Sequence, residues 1–103
     1  MYRYTTPTLP ITIDDVDFSL VDNFRIAIEQ KGKEDKLFIV SASDPIVDAQ
    51  HKTIYLSLTQ EQTVDFNEGE AKLQVRIVYS NHKVQATRKA RITINDVIDE
   101  VIV

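Results

Sequence analysis

The sequence predicts an all-β fold: an immunoglobulin-like antiparallel β-sandwich of about seven strands with one short helical crossover. Three observations carry that prediction. Apolar residues recur with period two along most of the chain, as in half-buried strands. Polar turn segments separate these runs roughly every 8–12 residues. No long stretch shows the 3.6-residue periodicity of an amphipathic helix. At 103 residues the chain fits one domain, residues 1–103, with 1–6 expected as a flexible lead.

The elements follow in order. Leu9, Ile11 and Ile13 alternate with small or polar partners, so Thr8 to Ile13 is expected to be a strand. Pro10 lies within it and cannot donate to a ladder, which places it at a sheet edge or a strand start. Val16, Phe18 and Leu20 alternate next, between Asp14-Asp15 and Asp22-Asn23. Phe24, Ile26 and Ile28 define a clean half-buried strand. The polar stretch around Gly32 supplies a turn, and Leu37 to Val40 is the return strand of a hairpin. Ile46-Val47 is a brief extended piece, Ala49 to Lys52 a turn, and Ile54, Leu56 and Leu58 a further strand. Thr59-Gln60-Glu61-Gln62 matches a capping box, predicting one helical turn that folds Val64 and Phe66 onto the core. Leu73, Val75, Ile77 and Tyr79 form the strongest strand, followed by a hairpin loop at Ser80 to Lys83. Val84 and Ala86 begin its return and Ile92 and Ile94 end it. Arg88 falls on the apolar parity there, so a bulge shifts the register or Arg88 reaches water at a rim. The tail from Asn95 to Val103 is apolar enough to pack as a helical turn or a last extended piece.

Composition removes several function classes. The chain has no cysteine, hence no disulfide framework, thiolate nucleophile or cysteine metal knuckle. Its two glycines, Gly32 and Gly69, cannot form a phosphate-cradling loop. No serine stands in a glycine-flanked elbow. These absences argue for a non-enzymatic protein with no catalytic residues and no cofactor. The first residues lack the apolar run of a signal peptide and no stretch reaches membrane-spanning length. With the absence of cysteine, these features suit a reducing cytoplasm, though the protein could leave the cell inside a larger particle.

Two clusters invite a metal reading. Asp14, Asp15, Asp17 and Asp22 lack the glycine turn and terminal Glu of a calcium loop, so a solvated turn is the plainer reading. His51 and His82 lie in separate turns without zinc-ligand spacing.

Charge is more informative. The formal net charge is −4, yet between Ala71 and Asn95 there are six basic residues and no acid. Lys72, Gln74 and Arg76 could face Gln85, Lys89 and Arg91 across the hairpin, giving a basic sheet face with Arg88 at its margin. Such a face can contact phosphates, but aromatic stacking partners are few. The overall acidity favours protein assembly over nucleic acid, with a basic face docking an acidic edge of another subunit. The edge at Thr8 and Pro10 could add to a partner sheet. The candidate interaction residues are therefore Lys72, Arg76, Arg88, Lys89, Arg91, Thr8 and Pro10. A competing class is a small binding module for carbohydrate or nucleic acid. The carbohydrate version needs Tyr2, Tyr4, Tyr55 and Tyr79 to cluster on an exposed patch.

Several segments also carry a family resemblance. They are Thr6-Pro7-Thr8-Leu9, Arg25 to Gly32, Ser57 to Phe66, Leu73-Gln74-Val75-Arg76 and Ile92-Thr93-Ile94. Across most of its length the chain resembles small proteins encoded in phage and prophage structural gene clusters of Firmicutes. It is similar, too, to the N-terminal sandwich domain of phage baseplate and receptor-binding proteins. The resemblance implies a tail, baseplate or virion accessory protein, or an assembly factor. Its partners would be other phage structural proteins or copies of itself in a homo-oligomer. The loop at Ser80 to Lys83 departs from that pattern by lacking a glycine.

Overall fold

The computed structural model describes residues 1–103 and is an all-β sandwich of two antiparallel sheets. Eight strands are present: β1 (Thr8–Thr12), β2 (Val21–Glu29), β3 (Lys36–Ser41), β4 (Val47–Asp48), β5 (Thr53–Ser57), β6 (Gly69–Tyr79), β7 (Val84–Ala86) and β8 (Ala90–Ile94). The smaller sheet has the order β1-β5-β4. The larger runs β3-β2-β6, and β7 and β8 both pair with the far side of β6. One short helix, α1 (Gln60–Val64), makes the crossover from β5 to β6.

Period-two alternation fixes which face of each strand turns inward. Phe24, Ile26 and Ile28 of β2 are fully buried, as are Val75 and Ile77 of β6 opposite. Ile54, Leu56 and Leu58 meet them from the smaller sheet. Phe18 packs against Phe24 with ring centroids 5.0 Å apart, a tilted arrangement that suits aromatic quadrupoles. The capping box forms as expected. Thr59 Oγ1 accepts from Gln62 N–H, and Gln62 Oε1 accepts from Thr59 N–H at 2.8 Å. Thr63, buried beneath that turn, donates its hydroxyl to Gln60 O.

The structure departs from the sequence reading at four places. Val16 to Leu20 is not a strand. Asp17 Oδ1 accepts from Ser19 N–H, closing a 3-10 turn over Phe18–Leu20, and Leu20 is left exposed. The lead expected to be flexible is anchored. Tyr2 bridges Asn95, and Arg3 spans to Asp96 at 2.7 Å and to the Val64 carbonyl at 3.0 Å. The tail beyond Asn95 forms no regular element, and Ile98 and Val101–103 remain exposed. Finally, the return of the last hairpin is split in two by an interruption of its register. Arg76 faces Ala86, whereas Leu73 faces Ala90, so three steps along β6 match four on the return strand. The one-residue excess is a bulge, one of the two alternatives read at Arg88, and the split it causes makes eight strands where about seven were expected.

His82 answers the missing glycine of the Ser80–Lys83 loop. It adopts φ +69°, a left-handed conformation that glycine accepts without strain.

Candidate interaction surface

The outward face of the larger sheet carries the candidate surface, and strand register sets its layout. Residues directly opposite in antiparallel strands share a face. One row across the sheet is Ile39–Arg25–Arg76–Ala86, from β3 through β2 and β6 to β7. The row on one side is Ser41–Asn23–Val78–Val84. On the other side lie Leu37–Ala27–Gln74, then Glu29–Lys72–Arg91. The face is thus basic along β6 and β8 and aliphatic along β3, where Leu37 and Ile39 are 50% and 61% exposed.

The charges on this face divide into two kinds. Towards one end, two cations are answered, Lys72 between them being unpaired. Lys89 Nζ donates to Glu29 at 2.9 Å, and Arg91 lies 3.7 Å from Glu70. The Lys89 hydrogen bond holds the Glu29 carboxyl below its usual range, and the same bond raises the Lys89 ammonium. At the centre, cations are not answered. Arg25 and Arg76 are direct cross-strand neighbours, and the five ion pairs of the molecule engage other residues. Like charges opposite one another weaken a sheet.

No protein-family model matches the chain, and no curated protein matches it in sequence. What the surface can do therefore rests on its geometry.

The seven residues expected from sequence do not form one patch. Lys72, Arg76, Lys89 and Arg91 share the outward face of the larger sheet. Arg88 does not; the bulge turns it into a cleft of about 600 Å³ beside Asp14 and Asp15. Thr8 and Pro10 belong to the other sheet, where they stand opposite Ser57 and Tyr55 on β5. Gln85, expected to face the basic residues, lies on the opposite parity. It pairs with Ile77 and accepts the Tyr79 hydroxyl at 2.6 Å. The four tyrosines are spread over three parts of the chain. Tyr2 and Tyr4 are in the lead, Tyr55 stands opposite Pro10, and Tyr79 is half-buried on Gln85.

Sequence reasoning missed Arg25, Leu37 and Ile39. The outward parity of Arg25 was readable from the Phe24–Ile28 alternation, but its pairing with Arg76 joins positions far apart in the chain. Leu37 and Ile39 read as part of a continuous apolar run and gave no sign of facing water.

The acidic cluster separates on folding. Asp17 caps the 3-10 turn and Asp22 accepts from the Asn23 amide. No three carboxylate or imidazole groups converge on a point that would hold a metal ion. His51 stays in its turn, hydrogen-bonded to Asp48 at 2.7 Å, and His82 is exposed in the hairpin loop.

Proposed function

We propose that this chain is a non-enzymatic interaction module that binds an acidic protein surface through the outward face of its larger sheet. The observation that carries the reading is the Arg25–Arg76 pair, two cross-strand guanidinium groups without carboxylate partners, bordered by exposed Ile39 and Leu37. An arrangement that weakens the free sheet becomes favourable once a carboxylate lies across it, because two forked donors can hold an anion in a fixed orientation. Aliphatic side chains beside the arginines add apolar area of the sort found at the centre of protein interfaces. Nucleic acid is the weaker reading. Glu29, Asp35 and Glu70 interrupt the basic field, where a phosphate backbone favours an unbroken one. The likeness of Thr6–Leu9, Ser57–Phe66 and Leu73–Arg76 to phage structural-cluster proteins supports placing this role in a tail, a baseplate or their assembly.

The test is a pair of NMR titrations at low salt. One uses a peptide alternating Glu and Leu, the other a DNA duplex of equal charge. The peptide is expected to shift the Arg25, Arg76, Leu37 and Ile39 resonances, and Arg25→Glu with Arg76→Glu to abolish the effect. Stronger binding of the duplex at the same residues would overturn the protein-partner reading. Shifts confined to other surfaces would overturn the site.

A further inference from the structure

Three of the four sheet edges are blunted against further strand pairing. β1 carries Pro10, β4 is two residues long, and the β7–β8 side is broken by its bulge. β3 has none of these devices. It is six residues long, runs in unbroken register with β2, and contains no proline or glycine. Its one charge is Lys36, at its first position.

The backbone of β3 is arranged to receive a strand. Ala42 N–H donates to Asp22 O at 3.0 Å, so even-numbered residues are the ones bonded to β2. Hydrogen-bonding direction alternates along a strand, which turns the N–H and C=O groups of Leu37, Ile39 and Ser41 to the open edge. The exposed Leu37 and Ile39 side chains stand at the same edge.

We infer that β3 pairs antiparallel with β3 of a second copy, about a two-fold axis through Ile39. Three features favour that occupant. The stretch between Lys36 and Asp44 is uncharged, so a matching strand must be uncharged over the same length, and β3 itself meets that condition. Antiparallel self-pairing sets Lys36 of each copy opposite the uncharged Ala42 of the other, which keeps the two lysines apart and leaves each on its own Asp65. A parallel arrangement would stack Lys36 on Lys36. Centring on Ile39 also makes Leu37 and Ser41 direct partners, so every open backbone group of the edge finds a bond and the aliphatic side chains cover one another.

The consequence is one continuous sheet through both copies. A two-fold axis perpendicular to that sheet leaves both Arg25–Arg76 faces on the same side, ready for two-point attachment. The pairing itself does not depend on what those faces bind.

The test combines light scattering with amide hydrogen exchange on the whole chain. The expected mass at high protein concentration is twice the 11.8 kDa of one copy, and it persists in high salt. The Leu37, Ile39 and Ser41 amides are expected to be protected. Ile39→Lys and, separately, Leu37→Lys should each give a monomer with an unchanged far-ultraviolet spectrum and freely exchanging edge amides. Arg25→Glu should leave the dimer intact, which separates this inference from the reading of the basic face. A monomer at every concentration, freely exchanging edge amides in the unaltered chain, or a dimer untouched by both lysine variants would overturn it.

Discussion

Arg25 lies directly opposite Arg76 across the β2–β6 ladder, with no carboxylate paired to either. Both belong to the two strands that carry the centre of the core, so register holds them together whatever the surface charge prefers. Relieving the repulsion should stabilise the free protein. Arg25→Gln is expected to raise stability by about 0.2–1 kcal/mol at low salt, with the gain shrinking as salt screens the pair. Urea denaturation at two ionic strengths checks both parts, and a loss of stability in low salt would refute the account.

Gln30 and Asn67 exchange two hydrogen bonds, each 2.8 Å. The Gln30 side chain is buried at the end of β2 and ties it to the loop after α1. Gln30→Ala removes both bonds and leaves backbone groups of Asn67 without partners. The expected cost is about 1–3 kcal/mol, read as a lower urea midpoint with an unchanged slope.

Thr59 is the N-cap of the only α-helix. Thr59→Ala should cost about 1 kcal/mol. Thr59→Asp should recover most of it, because a carboxylate also accepts from the first-turn N–H groups. Thermal unfolding of the two variants side by side tests the cap rather than general sensitivity at this position.

His82 occupies a left-handed backbone conformation at φ +69° on an exposed loop. His82→Gly should therefore stabilise the chain by up to about 1 kcal/mol, the conformational relief exceeding the extra freedom of the unfolded chain. The same substitution in a strand would have the opposite sign, so the direction of the change is the informative result.

Stability should vary with pH in a definite sense. Asp17, Glu29, Asp48 and Asp65 are held below their usual carboxyl range by hydrogen bonds from Ser19, Lys89, His51 and Lys36 respectively. Their contribution is present above the unfolded values near pH 4 and is lost as pH falls through the lower folded values. Lys89, raised by Glu29, contributes below its unfolded value near pH ~10.4 and loses that contribution as pH rises through the folded one. Denaturation midpoints should be flat between these limits and fall first on the acid side. Glu29→Gln should reduce the dependence at both ends. All these groups are exposed, so high salt should flatten the profile.

Much of this architecture was legible in the sequence because its signals are local. Alternation in Phe24–Ile28 and Leu73–Tyr79 marked the two central strands, Pro10 marked an edge, and Thr59 with Gln62 marked the helix start. The Val16–Leu20 run misled because alternation says nothing of a competing side-chain cap, and Asp17 supplied one. The interaction surface was half legible. Outward parity placed Lys72 and Arg76 on one face, but the juxtaposition of Arg25 with Arg76 follows from long-range register, which no local pattern encodes. Gln85 lies on the other side of the sheet from the expected one because a one-residue bulge inverts facing along the return strand, while Arg88 stays on the side that its apolar parity marked.

That bulge also makes the chain's tolerance of length changes sharply uneven. The Ser80–Lys83 loop ends in solvent, and residues inserted there would only lengthen a hairpin tip. Between Thr87 and Lys89 the spacing is counted. One residue is already in excess there, so removing it would let three steps match three and straighten the strand with Ile92 and Ile94 still inward, whereas adding a second would force a wider bulge or turn them out of the core. Inherited insertions should accordingly gather at the tip and be absent a few positions later, although both segments look equally polar.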